Sequence, residues 1–248
     1  MPSIQGQGFT VASYITLRQP LPCQGSQKYT CIQNMKSFLS ICWLFVASVT
    51  FVCADTGTSH NFFYLNKLDS QKYFIGRANL ATRDGFNDLF FGYIDASIGF
   101  RLGPKWSFEV GYRHAYLELI SEWRQEYRPH VNLVYRGKMG KWDFRNRQRL
   151  EFRYFEGDSD DHVRYRNESV WTSPNKVSGF ELTPYLSEEF FYEFTDNDFN
   201  VNWLTMGVSR SFAKNKKWKI GYRLQSQKIA GEWNNRHVLV TGISILNF

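Results

Sequence analysis

Trp142 to Glu168 reads W-D-F-R-N-R-Q-R-L-E-F-R-Y-F-E, then G-D-S-D-D-H, then V-R-Y-R-N-E. Taken every second residue, Asp143, Arg145, Arg147, Arg149, Glu151 and Arg153 share one side. Trp142, Phe144, Leu150, Phe152 and Tyr154 share the other, interrupted by Asn146 and Gln148. Successive side chains of a strand point to opposite faces, so this period of two predicts a β-hairpin charged on a single face. An unbroken arginine row cannot be solvated cheaply in an apolar core. It is accommodated in the lumen of a transmembrane barrel, where polar side chains point inward and apolar ones meet lipid. A turn centred near Ser159 would set Glu151 opposite Arg166 and Arg149 opposite Glu168, and opposite charges at facing positions stabilise a strand pair. The competing reading is a soluble hairpin with one solvated face; the remainder of the chain decides against it by repeating the pattern.

That pattern extends over a chain of β-segments. Phe62–Leu68 is a first candidate, followed by Lys72–Ala81, Leu89–Leu102, Trp106–Leu119, Trp123–Arg136, Trp142–Phe155 and Val163–Trp171. Val177–Phe194, Val201–Ala213, Trp218–Ile229 and Arg236–Phe248 complete the series. Alternation is clear where Trp106, Phe108, Val110 and Tyr112 oppose Ser107, Glu109, Gly111 and Arg113. It is equally clear where Trp218, Ile220, Tyr222 and Leu224 oppose Lys219, Gly221, Arg223 and Gln225. No useful length shows a helical period. Connections sort into basic turns (103–105, 137–141, 214–217, with 173–176 beside them) and acidic loops (83–85, 157–161, 196–198) in alternation. This is what an up-and-down meander with two distinct ends produces. Trp106, Trp142 and Trp218 each follow a basic turn, where an interfacial aromatic girdle would sit. If the C-terminus lies in the periplasm, the basic turns face that side and the acidic loops face outward. The fold class is therefore all-β: an antiparallel, up-and-down transmembrane β-barrel of ten to twelve strands. An even number is expected of a bacterial barrel.

Composition agrees. Aromatic residues are 18% of the 248 residues, with 22 Phe, 14 Tyr and 8 Trp, yet mean hydropathy is −0.43. An apolar outer band, aromatic girdles and a wet interior reconcile the two. Net charge is +7, but Arg18, Lys28 and Lys36 stand in the first 54 residues with no acid. Beyond them basic and acidic residues interleave, so a pI near 9.2 does not indicate a nucleic-acid partner. Cys23, Cys31, Cys42 and Cys53 all precede residue 55. A disulfide scaffold, a thiol nucleophile and a cysteine metal site are excluded from the segment that follows.

Residues 1–34 are polar and without periodicity, and read as an upstream extension. Met35–Ala54 has the form of a secretory signal peptide: Lys36, the apolar run Phe38–Val52, and a small-residue cleavage site at Ala54. The run is shorter than the roughly 20 residues of a spanning helix. Residues 55–71 form a lead and a first strand, and 72–248 the barrel.

Glu122-Trp123-Arg124-Gln125-Glu126-Tyr127-Arg128-Pro129 and Arg145-Asn146-Arg147-Gln148-Arg149-Leu150-Glu151-Phe152-Arg153 carry a resemblance to a known family. Arg164-Tyr165-Arg166, Thr183-Pro184-Tyr185-Leu186, Glu188-Glu189-Phe190-Phe191 and Gly221-Tyr222 extend it. From residue 60 to 248 the chain resembles the bacterial domain-of-unknown-function proteins grouped with outer-membrane β-barrels. The resemblance implies a barrel in the bacterial outer membrane and no defined activity. Phe248 is similar to the aromatic ending by which the barrel-assembly machinery recognises its clients. The R-x-R spacing offers a weaker likeness to oligosaccharide-specific porins.

Arg124, Glu126, Arg128, Arg145, Arg147, Arg149, Glu151, Arg153, Arg164, Arg166 and Glu168 form the expected luminal charge cluster. It reads either as a structural network filling a narrow barrel or as a track for anionic solutes or acidic oligosaccharides. An outer-membrane lipid-modifying enzyme would need a serine–histidine pair, for which His114 and Ser121 are the nearest to adequate. A soluble barrel with its aromatic faces turned inward is a further alternative. Asp158, Asp160 and Asp161 suit a loose Ca²⁺ contact, but a solvated acidic loop is the expectation. No catalytic residue, metal or cofactor is expected. The expected partners are outer-membrane lipids, the assembly machinery and small anionic solutes.

Overall fold

The computed structural model describes residues 56–84, 87–119, 122–157, 162–177 and 179–247. The signal-like segment, the upstream extension, Ser121, Asp158, Asp160, Asp161 and Phe248 lie outside the described residues. All named elements are strands: β1 (Thr56–Lys67), β2 (Lys72–Arg83), β3 (Asp88–Arg101), β4 (Trp106–Leu119), β5 (Glu122–Met139), β6 (Trp142–Phe155), β7 (His162–Thr172), β8 (Thr183–Glu193), β9 (Asp198–Ala213), β10 (Lys216–Ile229) and β11 (Glu232–Asn247). Each pairs with its sequence neighbours, and β1 pairs with β11 to close the barrel.

The expected even strand number does not hold. With eleven strands the first and last run the same way, so the closing seam is parallel, from Thr56 opposite His237 to Asn66 opposite Asn247. The two ends of the barrel segment therefore stand at opposite rims. Residues 56–61, expected as a flexible lead, are part of β1 and pair on both sides. Their lumen-facing residues, Ser59 and Asn61, are polar, which hides a strand from a hydropathy reading. The long 177–194 run contributes only Thr183–Glu193. Before it the chain makes an isolated Val177–Leu182 bridge, with left-handed backbone at Gly179 and Glu181.

The inside-out distribution of polarity is realised. Among the described residues, twenty buried polar or charged ones stand against eight buried apolar ones, so the interior is chiefly polar. The apolar exceptions include a small cluster of Leu65, Tyr73 and Ile75 beside Phe63 and Leu246. Outward positions carry exposed Ile94, Ile98, Val110, Leu133, Phe152, Met206, Ile220 and Ile243. Aromatic rows mark both ends of this apolar face. Trp106–Tyr135, Tyr135–Phe144 and Phe144–Trp171 form a continuous row next to the basic turns, with ring centroids 5.0, 6.2 and 5.5 Å apart. Tyr165–Phe190, Phe190–Phe199 and Phe199–Tyr192 form the opposite row, at 6.1, 5.7 and 4.9 Å.

Local chemistry sets the irregularities. Pro129 has no N–H, and the β5–β6 ladder lapses at Arg128 and Pro129 before resuming in the same register. At the β1–β2 turn the Asp69 carboxylate accepts the backbone N–H groups of Gln71 and Lys72, each at 2.7 Å. These bonds hold its pKa below the usual carboxylate range. Inside the barrel Gly207 and Gly221 leave room for the Tyr185 ring. A Cβ on Gly207 would meet the Ile220 carbonyl oxygen at 2.3 Å and the Tyr185 hydroxyl at 2.8 Å. Gly207→Val is therefore expected to lower stability by about 1–3 kcal/mol or more, as overpacking does. A fall in the urea midpoint of the micelle-bound protein checks it, and an unchanged midpoint contradicts the packing described.

Candidate functional site: a luminal arginine and carboxylate network

Strands β2 to β8 carry the network's charged residues at alternate, lumen-facing positions, and the register brings them together across strands. Arg149 stands opposite Arg166, Glu151 opposite Arg164, and Arg147 opposite Glu168. The expected facing pairs, Glu151 with Arg166 and Arg149 with Glu168, are therefore displaced by two residues. A two-residue shift preserves every face assignment, so the luminal row stands while its partners change. The like-charged Arg149–Arg166 opposition is resolved by the neighbouring acid. Glu151 Oε1 accepts from Arg149 Nη1 at 3.2 Å and from Arg166 Nη1 at 3.1 Å. Its Oε2 accepts from Arg164 Nη2 at 2.7 Å and lies 3.7 Å from Arg128 Nη1. One carboxylate thus gathers four guanidinium groups.

Asp95 on β3 is a second gathering point. Arg77 lies 2.9 Å from one oxygen, and Arg113, His130 and Arg149 lie 3.0, 3.2 and 3.6 Å from the other. Arg149 joins both centres. Around them, Glu126 pairs with Arg128 and Arg153, and Glu189 bridges Arg147 and Arg166, both at 2.8 Å. Glu168 holds Arg145 at 2.7 Å and Arg147 at 3.3 Å. Glu109 receives Arg77 at 3.1 Å, Asn132 at 2.9 Å and the Tyr73 hydroxyl at 3.2 Å. The side chains of Arg149, Glu151 and Asp95 are wholly inaccessible.

The expected cluster is thus brought together, with one exception. Arg124 is exposed and lines a small rim cavity with Arg153, His162 and Glu193. Arg77, Asp95, Glu109, Arg113, His130, Asn132, Glu189 and Glu193 belong to the network but were not singled out in sequence. Period-two alternation is the sequence signal that places them on the luminal face. His114 faces outward, its ring against Tyr116 and Tyr127. Among the described residues no group of three or more His, Cys, Asp or Glu is placed to hold a metal ion.

Beside the network lies a cavity of about 560 Å³. One wall is charged; the facing wall includes Ser59, Asn61 and Ser244. Twelve arginine and lysine residues line it against four glutamates. On the β10 side, Lys219 and Arg223 have no carboxylate within ion-pair distance among the described residues. Arg223 instead donates to Thr205 Oγ1 at 3.1 Å and lies 4.4 Å from the Trp203 ring centroid. Trp203 packs on Phe191, over which Arg166 sits at 4.4 Å. Guanidinium groups stacked on rings keep their in-plane donors available.

A family model matches residues 57–236, described as "Protein of unknown function (DUF2490)". The chain belongs to that family. Its match covers β1 to β10 and the start of β11, so the luminal network lies within the matched residues. Neither a curated protein nor a solved structure matches the chain.

Removing the charge of Glu151 leaves Arg164 without a carboxylate partner among the described residues and takes one of two acids from each of Arg128, Arg149 and Arg166. Glu151→Gln is expected to cost about 3–5 kcal/mol, the range for breaking a buried ion pair from one side. Lys138 and Asp143, 3.8 Å apart and both largely exposed, are the control, since exposed pairs contribute little. Urea unfolding in micelles should show a large drop for Glu151→Gln and none for Lys138→Ala; equal effects would contradict the network's structural role.

Proposed function

We propose that this chain is an integral β-barrel of the bacterial outer membrane whose lumen takes up small anionic solutes beside a fixed arginine–carboxylate plug. The membrane reading is supported by the polar interior, the apolar outward face and the aromatic rows at both ends, which together match a barrel solvated by lipid outside and water within. It is supported further by the signal-like Met35–Ala54 segment. With the basic turns toward the periplasm, Thr56 stands at the outer rim.

One observation carries the solute reading: the cavity has twelve cationic residues to four acids, and Lys219 and Arg223 lack carboxylate partners. A purely structural filling would pair its charges, as the β3–β7 wall does. An excess of cations selects anions in pores, and the arginine forks suit carboxylate, sulfate or phosphate groups. The arginines already held by Glu151 and Asp95 serve the barrel itself.

Cells expressing the chain, fractionated and examined by gel electrophoresis with and without boiling, should give a heat-shifting band in the outer membrane. In planar bilayers or liposome-swelling assays, Lys219→Ser with Arg223→Ser should reduce anion over cation preference while leaving the heat shift intact. Unchanged preference, or impermeability of the parent protein to anions, would remove the solute reading and leave a structural barrel. An epitope inserted after Asp55 should be labelled by antibody on intact cells. Labelling only after permeabilisation would reverse the orientation.

A further inference from the structure

The outward face carries a contiguous polar patch on β6 to β9. Asn146 and Gln148 on β6, Asn167 and Ser169 on β7, Glu188 on β8 and Asn202 on β9 all occupy outward positions. Register makes them contiguous: Ser169 faces Asn146 and Glu188, Asn167 faces Gln148, and Asn202 faces Phe190 beside Glu188. They lie between the two aromatic rows, with the Phe144–Trp171 pair on one side and Tyr165–Tyr192 on the other. On the adjoining β5, Leu133 faces Gln148, and within β9 the apolar Leu204 faces Glu188.

Part of its polarity is used internally. Asn146 Nδ2 donates to Asn167 Oδ1 at 2.8 Å and to Ser169 Oγ at 2.9 Å, and Asn202 Nδ2 donates to Glu188 Oε1 at 3.3 Å. The Gln148 amide has no partner among the described residues, and the second Glu188 oxygen has none either. Acyl chains offer nothing to these groups, and unsatisfied polar groups in hydrocarbon are costly. The seam on the other side of the barrel shows the contrast: His60 also faces outward there, but it bonds Thr58 and Thr241.

We propose that this patch is the contact surface for a second copy of the same chain, paired about a two-fold axis normal to the membrane. The reading rests on the membrane placement proposed above. Every copy inserts in the same orientation, so a two-fold rotation brings each patch to its twin at the same depth. Amide side chains carry both a donor and an acceptor, so a patch rich in Asn and Gln is complementary to itself. The facing Gln148 amide supplies the donors that Glu188 lacks. The flanking Leu150, Leu186 and Phe190 provide the apolar rim of such a contact.

All four cysteines precede residue 55, so single substitutions in the barrel report on one position each. Gln148→Cys, Asn167→Cys and Asn202→Cys should yield a covalent dimer on mild oxidation of isolated outer membranes. Ile94→Cys and Ile98→Cys, exposed on β3, should not. In mild detergent the parent protein should have twice the chain mass. Gln148→Leu combined with Glu188→Leu and Asn202→Leu should be monomeric with its heat shift intact. Three results would overturn the proposal: a monomeric parent without patch cross-links, cross-links only to a chain of different mass, or equal cross-linking at Ile94. Recovery of the parent from the soluble fraction would instead defeat the membrane reading itself, since a polar patch in water needs no cover.

Discussion

Everything in this barrel depends on compensating buried guanidinium charge. Arginine keeps its charge in a protein interior, and an arginine row removed from water is tolerated only where carboxylates meet it with good geometry. Glu151 and Asp95 meet that need by accepting from several strands at once, with Arg149 common to both. Such multi-strand bonds fix the positions of β3 through β7 more firmly than backbone ladders alone. They also explain why the lumen is asymmetric. The β3–β7 side is filled by long side chains paired with carboxylates, whereas on the β9–β10 side Trp203, Lys219 and Arg223 line a cavity without ion pairs among the described residues.

That asymmetry links packing to function. A lumen filled evenly by paired charge would be inert. Here a wall of paired charge borders a cavity that Lys219 and Arg223 of β10 also line, neither with a carboxylate within ion-pair distance among the described residues. The same division shows on the outside, where β6 to β9 carry the polar patch and the remaining strands are apolar or locally satisfied. In this account the barrel has two specialised regions, an inner anion-accepting face and an outer self-association face, built on one closed sheet.

The face of nearly every charged residue was legible in the sequence, because alternation depends only on the pleat. Register was not. The hairpin of β6 and β7 is displaced by two residues from the expected pairing, a change invisible to alternation. Pairwise charge matching misled at this point: it favours Arg opposite Glu, whereas the barrel sets Arg149 opposite Arg166 and neutralises both from Glu151. In sequence Asp95 and Glu109 look like ordinary polar positions of alternating strands. Only closure brings them to the arginines. The parallel seam was missed for a related reason, since Thr58, Ser59, His60 and Asn61 are polar on both faces and resemble a lead.

The central claim is that the aromatic, apolar face meets lipid and the arginines do not. Tryptophan fluorescence in bilayers with brominated acyl chains tests it most directly, because Trp106, Trp123, Trp142 and Trp233 are all exposed and the outward row includes Trp106. The account predicts strong quenching by chain-brominated lipid and weak quenching by aqueous iodide. Strong iodide quenching with no response to brominated lipid would contradict it and turn the barrel's surroundings from lipid to water.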